Sequence, residues 1–270
     1  MNNIFFLMFL FIFSCSHRGQ KSPLIIPDSL TEAVMSSSRT EENVVRDTHV
    51  HAGDTLDFFG ITPKMTVAEI SPRAGYWTEI LAPYLAQEGQ YVMVVPRMSS
   101  RPPKFMIENE RKLQDILLHQ KAAGINSKFV PFEPLSERNK IKPEYVDLVI
   151  AITGVHNWVA KNETEMAFKF IYAILRPGGT LGIVQHRIAE GKKNIPMSGY
   201  MTEKQLITYA KRAGFRLVAK SEINANPKDT ADYPKGVWTL PPTYRLGATD
   251  REKYEEIGES DRMTLKFLRP

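Results

Sequence analysis

His49-Val50-His51 is the spacing that first suggests chemistry. Alternate side chains share a side of an extended chain, so two imidazoles can converge on a metal, with Asp47 and Asp54 nearby. The pair sits in a polar segment without an assigned third ligand, so no metal is expected. His186-Arg187 offers an imidazole and a guanidinium suited to an anionic substrate group, or else a solvated strand end. Met197-Ser198-Gly199 lacks the first glycine of a nucleophile elbow, which argues against a serine hydrolase. Neither a Gly-x-x-x-x-Gly-Lys phosphate loop nor a Gly-x-Gly-x-x-Gly nicotinamide turn occurs, and Gly191-Lys192-Lys193 reads as a solvated basic loop. The single cysteine, Cys15, excludes a disulfide framework and a thiolate metal cluster. With 35 Lys and Arg against 30 Asp and Glu the net charge is +5, but the basic residues are scattered, so no nucleic-acid partner is expected.

The elements that must position these groups alternate along the chain. Strand patterns fall at Met65 to Ile70, Gln90 to Val95, Lys128 to Phe132, Val146 to Thr153, Thr180 to Gln185, Phe215 to Ile223 and Met263 to Leu268. Helical spacing marks Trp77 to Ala86, Glu108 to Ala123, Glu163 to Leu175 and Glu203 to Ala213. Arg176-Pro177-Gly178-Gly179 stops the third of these and Gly214 the fourth. The alternation predicts an α/β fold, a doubly wound, mainly parallel seven-stranded sheet built from right-handed βαβ units. Ligands of such sheets sit beyond the carboxyl ends of the strands. Four stretches therefore form the candidate site: Glu69 to Gly75, Val95 to Met98, Thr153 to Trp158, and Gln185 to Arg187.

Two segments lie outside that core. Ile4 to Phe13 is an unbroken apolar run, about half the length needed to cross a bilayer, and reads as the h-region of a signal peptide over 1–14. Ile12-Phe13-Ser14-Cys15 resembles a lipobox, so Cys15 is the expected lipid attachment site, with a plain signal as the alternative. Export, a periplasmic location and a membrane anchor follow as expectations. Residues 15–50 read as a polar tether with a short helix around Leu30 to Met35, and 51–270 as the folded domain. Within it, 224–260 is rich in Pro, Asp and Gly and reads as a C-terminal lid insertion, or as an edge-covering loop packed by Trp238 and Leu240.

Phe58–Leu85, Gly154–Val159, Leu175–Arg187, Ser221–Thr243 and Gly258–Pro270 together resemble a family of exported, predicted class I S-adenosylmethionine-dependent methyltransferases of bacteria. The resemblance spans most of 50–270. It implies S-adenosylmethionine as cofactor, a small-molecule substrate, and a cofactor cradle of Glu69, Ser71, Gly75, Val95 and Thr153. It also implies that His156 and Asn157 face the substrate, His156 as base, with Trp158 as a wall and His186 and Arg187 as substrate contacts; a hydrogen-bonded structural histidine is the competing account of His156. The sequence departs from the family at two places. Arg73 and Ala74 stand where the family has glycines, and no acid stands near Val95 to accept from the ribose hydroxyls. An arginine in that turn either points outward or fills the cofactor's place. A methyltransferase-fold binding or interaction lipoprotein without catalysis is therefore the second expectation.

Overall fold

The computed structural model describes residues 24–96, 98–132, 142–192 and 197–270, so the expected signal peptide over 1–14 and Cys15 lie outside the described residues. Four short helices lead in: α1 (Leu30–Val34), α2 (Glu41–Val45), α3 (Asp47–Val50) and α4 (Ala52–Phe59). Then follow β1 (Thr66–Ile70), α5 (Thr78–Tyr84), β2 (Gln90–Pro96), α6 (Lys104–Ala122) and β3 (Lys128–Phe132). The second half holds β4 (Val146–Ile152), α7 (Val155–Ala160), α8 (Thr164–Ile174), β5 (Leu175–His186), α9 (Glu203–Arg212), β6 (Arg216–Ser221), α10 (Arg251–Ile257) and β7 (Arg262–Leu268).

The seven strands form one sheet in the order β3-β2-β1-β4-β5-β7-β6, all parallel except β7, which runs against both its neighbours. Strands buried on both faces need apolar side chains on both, and β4 (VDLVIAI) meets that demand almost continuously. The pleat sends Ala68, Ile70, Val92, Val94, Val149 and Ala151 to one layer, packed on Phe168 and Ile171 of α8. Val67, Tyr91, Met93, Leu148 and Ile150 go to the other, against Leu56 and Phe59 of α4 and Ile80 and Leu81 of α5. Gly182 lets α4 lie close on the sheet, since a Cβ there would sit 2.5 Å from the Phe59 ring. The chain runs outward from β1 through β2 to β3 and then returns to the other side of β1 as β4. The switch point, and with it the crevice, is between the tips of β1 and β4.

Three boundaries differ from expectation. The strand expected from Thr180 begins at Leu175, and Pro177-Gly178-Gly179 is taken up as an irregularity in its pairing with β4. The tether expected over 15–50 is, from Leu24 on, folded against the domain. Arg39 pairs with Asp47 at 2.7 Å, Arg46 with Glu259 at 2.7 Å, and the Asn43 amide donates to Glu79 at 2.8 Å. His49 and His51 do not share a side of a strand, because α3 covers His49 and His51 is left-handed at φ 47°. Residues 224–260 build a small apolar cluster together with Ile188 and Tyr200, in which Leu240 is fully buried beside Val237 and Tyr254. Among the described residues no helix is long and apolar enough to cross a membrane.

Candidate functional site

The tips of β1 and β4 are sharply turned. Ser71, Arg73 and Thr153 all take positive φ, at 60°, 52° and 47°, a conformation that costs a side-chain-bearing residue about 1–2 kcal/mol. Hydrogen bonds hold the tips in place: Ser71 N donates to the Val94 carbonyl at 2.8 Å, and Thr153 N to the Val184 carbonyl at 2.6 Å. Between the tips, Arg73 Nη2 donates to the Thr153 carbonyl. The Arg73 side chain thus turns into the crevice. It remains open to solvent, and partial loss of hydration with the nearby Arg46 charge lowers its pKa. Its Nε and Nη1 have no partner among the described residues.

The other cradle positions serve the fold. Glu69 is buried and its carboxylate accepts from Tyr91 Oη and, at 3.3 Å, from Thr78 Oγ1, so it faces α5 rather than the crevice. Burial pushes its pKa up to about 7, against the pull of those hydroxyls and of Arg73. Gly75 has φ 87°, and a Cβ there would lie 2.6 Å from Ile116 Cδ1, so its bareness admits α6 rather than a cofactor. Val95 and Pro96 end β2 half-buried and offer no side-chain acceptor for a ribose.

His156 and His186 meet at the tips of β4 and β5, their ring centroids 5.6 Å apart. Gln185 Nε2 lies 3.0 Å from the Gly199 carbonyl and 3.1 Å from His156 Nδ1. A carbonyl only accepts, so the amide nitrogen must face both, and its second hydrogen goes to His156 Nδ1. His156 therefore carries its proton on Nε2 and presents a donor, not a base. Burial, then the Arg73 charge, hold its pKa down at about 4. His186 Nδ1 is 2.5 Å from Ser260 Oγ, and burial with the charges around it keeps His186 neutral. Trp238, from the 224–260 segment, stands edge-on to His156 at 5.8 Å. Asn157 is exposed beside it at the start of α7.

Two expected substrate contacts are corrected. Trp158 is 4% exposed and packs between Phe132 and Phe168 in the core, because α7 turns that side chain toward the sheet and not the crevice. Arg187 is committed to Asp261 at 2.8 Å and Glu222 at 2.7 Å, with Glu203 at 3.4 Å, which leaves it no free edge for a substrate.

Several residues of the site had gone unmarked. Tyr76 donates to Asp47 at 2.6 Å and carries the Arg46 guanidinium over its ring at 5.2 Å. Arg46 and Arg262 both bind Glu259, the former in a bidentate pair at 2.7 and 3.1 Å, the latter at 3.0 Å. The compact Gly258-Glu259-Ser260-Asp261-Arg262 run was the available signal. A cavity of about 250 Å³ lined by Val159, Asn162, Thr164, Tyr209 and Arg212 involves none of the crevice residues.

No family model and no curated protein matches the chain. Solved structures do. An S-adenosylmethionine-dependent methyltransferase from Aquifex aeolicus overlaps with a TM-score of 0.56 at 13% identity, over 90% of this chain and 99% of its own. The [4+2]-cyclase SpnF gives 0.52 at 16%, over 82% of each chain. An arsenic(III) S-adenosylmethionine methyltransferase from Chlamydomonas reinhardtii gives 0.51 at 12%, over 90% of this chain and 73% of its own. Strand order, the antiparallel seventh strand and these overlaps agree that the chain has the class I methyltransferase-like fold.

Proposed function

We propose that the protein is an exported, lipid-anchored binding protein that holds a small molecule on a methyltransferase fold, with Arg73 in the place of S-adenosylmethionine. The hydrogen bond from Arg73 to the Thr153 carbonyl carries this proposal, since it sets a fixed cation in the crevice where the fold would seat the cofactor. Two further features support it. Glu69 is spent on Tyr91 and Thr78, and the tip of β2 lacks a carboxylate for ribose hydroxyls. In this arrangement the residues do not fit an adenosyl group, and no methyl-transfer step is derived from them. His156, a donor at Nε2, orients a ligand rather than deprotonating it. Fold does not dictate reaction, as a cyclase among the overlapping structures illustrates. The lipobox-like Ile12-Phe13-Ser14-Cys15 supports the anchor.

Methyl transfer from S-adenosylmethionine to a small molecule is the second proposal, favoured by the near-complete overlap with the Aquifex aeolicus enzyme. It requires Arg73 to leave Thr153. Calorimetric titration of the purified protein with S-adenosylmethionine separates the two. No saturable heat and no thermal shift at millimolar cofactor is the expected result; submillimolar binding overturns it in favour of the enzyme. Incorporation of labelled palmitate, lost in Cys15→Ala, is expected for the anchor, and an unlabelled parent protein refutes it.

A further inference from the structure

We propose that the crevice is an oxyanion site, which takes the carboxylate or phosphate of a small soluble molecule on Arg73 and the guanidiniums behind it. This deepens the closed-crevice function above and rests on it. The first support is charge. Arg262 stands opposite His186 in the sheet and shares Glu259 with Arg46, while Arg73 reaches Thr153, whose backbone bonds to Val184 two residues before His186. Glu259 is shared between Arg46 and Arg262. Asp47 is taken by Arg39 and Tyr76, and Glu69 is sealed under Tyr91. Three guanidiniums thus share Glu259 and the buried Glu69 that faces Arg73, and for Arg262, which is cut off from water, uncompensated charge is costly. An anion relieves that excess, whereas the sulfonium of S-adenosylmethionine adds to it.

The second support is the inventory of donors. Arg73 has Nε and Nη1 unengaged among the described residues, on a side chain that solvent reaches. Arg262, 4% exposed, has a buried Nε with no acceptor, and a buried unpaired donor of a charged group is rarely left so without a ligand or water. His156 presents Nε2–H, because its other nitrogen is held by Gln185. These are the groups that recognise an oxyanion: charged forks and a neutral N–H.

The test is titration of the full chain with inorganic phosphate, sulfate and acetate at constant ionic strength, followed by calorimetry, with S-adenosylmethionine titrated in parallel. Saturable binding of at least one anion is expected, weakened roughly tenfold or more in Arg73→Gln. It is expected unchanged in Arg251→Gln, whose arginine pairs with Glu255 on the exposed face of α10. If Arg73→Gln fails to fold, Arg73→Gly serves, since glycine accepts the positive φ at that position. No saturation up to tens of millimolar anion, or equal weakening in Arg251→Gln, overturns the oxyanion site however S-adenosylmethionine behaves. Saturation by S-adenosylmethionine, with the anion result intact, overturns only the closed crevice.

Discussion

Arg73 and Thr153 join the tips of the first and fourth strands, the guanidinium of one donating to the backbone carbonyl of the other. The bond crosses the switch point of the sheet, so it closes the crevice that the topology opens. Both residues sit at positive φ, so the closure is made by two strained turns. His156, three residues beyond Thr153, stands edge-on to Trp238, and its neighbour Asn157 is exposed.

His156 is expected to be the Nε2–H tautomer at neutral pH. Long-range proton–nitrogen NMR spectra of the imidazoles check this directly, and a protonated Nδ1 would contradict the geometry with Gln185. Its folded pKa of about 4 lies below the usual 6.5, so the unfolded chain binds more protons between those values. Stability from this group is therefore lost as pH falls from about 6.5 to 4, by up to about 3 kcal/mol. Urea midpoints of His156→Asn against the parent should show the smaller loss on acidification.

Glu69 acts in the opposite sense. Its folded pKa of about 7 lies above the ordinary 4.5, so the native state holds the extra proton between those values. Stability is then lost as pH rises from about 4.5 to 7, again by about 3 kcal/mol. The Glu69 and His156 slopes oppose each other over that window, so single variants expose what the parent conceals. Glu69→Gln should gain stability relative to the parent as pH climbs from 5 to 8 in denaturant titrations; a constant difference across that range counts against a buried, half-protonated carboxyl.

Trp158→Ala should cost about 3–5 kcal/mol of stability, the range for deleting a large buried aromatic, since Trp158 fills the space between Phe132 and Phe168. Trp238→Ala, by contrast, should cost less and alter ligand binding beside His156. Thermal or urea unfolding of the two variants ranks them. A stable Trp158→Ala protein with a binding defect would return Trp158 to the crevice.

Gly75→Ala tests the turn's other role. A Cβ at φ 87° strains the turn and, at 2.6 Å from Ile116 Cδ1, makes that side chain repack, at a cost of roughly 1–3 kcal/mol. Unfolding should reveal this without any ligand present. If the loss appears only as a change in ligand affinity, the glycine belongs to the cradle after all.

The sheet was legible because parallel strands need unbroken apolar runs, and β4 and β2 supply them between helices with clear stops such as Gly214 and Arg176-Pro177-Gly178-Gly179. Helices α2 and α3 were not, because they span only a turn or so and are held by distant partners; Arg46 meets Glu259 213 residues away. The site was legible by position and not by role. His156 does reach the strand tips, but its tautomer is set by Gln185 and Gly199, which no local pattern announces. Arg187 is neutralised by Glu203 at the start of α9, Glu222 just beyond β6 and Asp261 just before β7. Trp158 and its exposed neighbour Asn157 lie on different faces of α7, and it is the face that takes Trp158 into the core.

The closed crevice is tested most directly by the S-adenosylmethionine affinity of Arg73→Gly beside that of the parent. Removing the side chain restores the small turn of the fold and leaves the Thr153 carbonyl free, so the variant is expected to bind at least roughly tenfold more tightly than the parent. Equal affinities in the two proteins, or tighter binding by the parent, would contradict it.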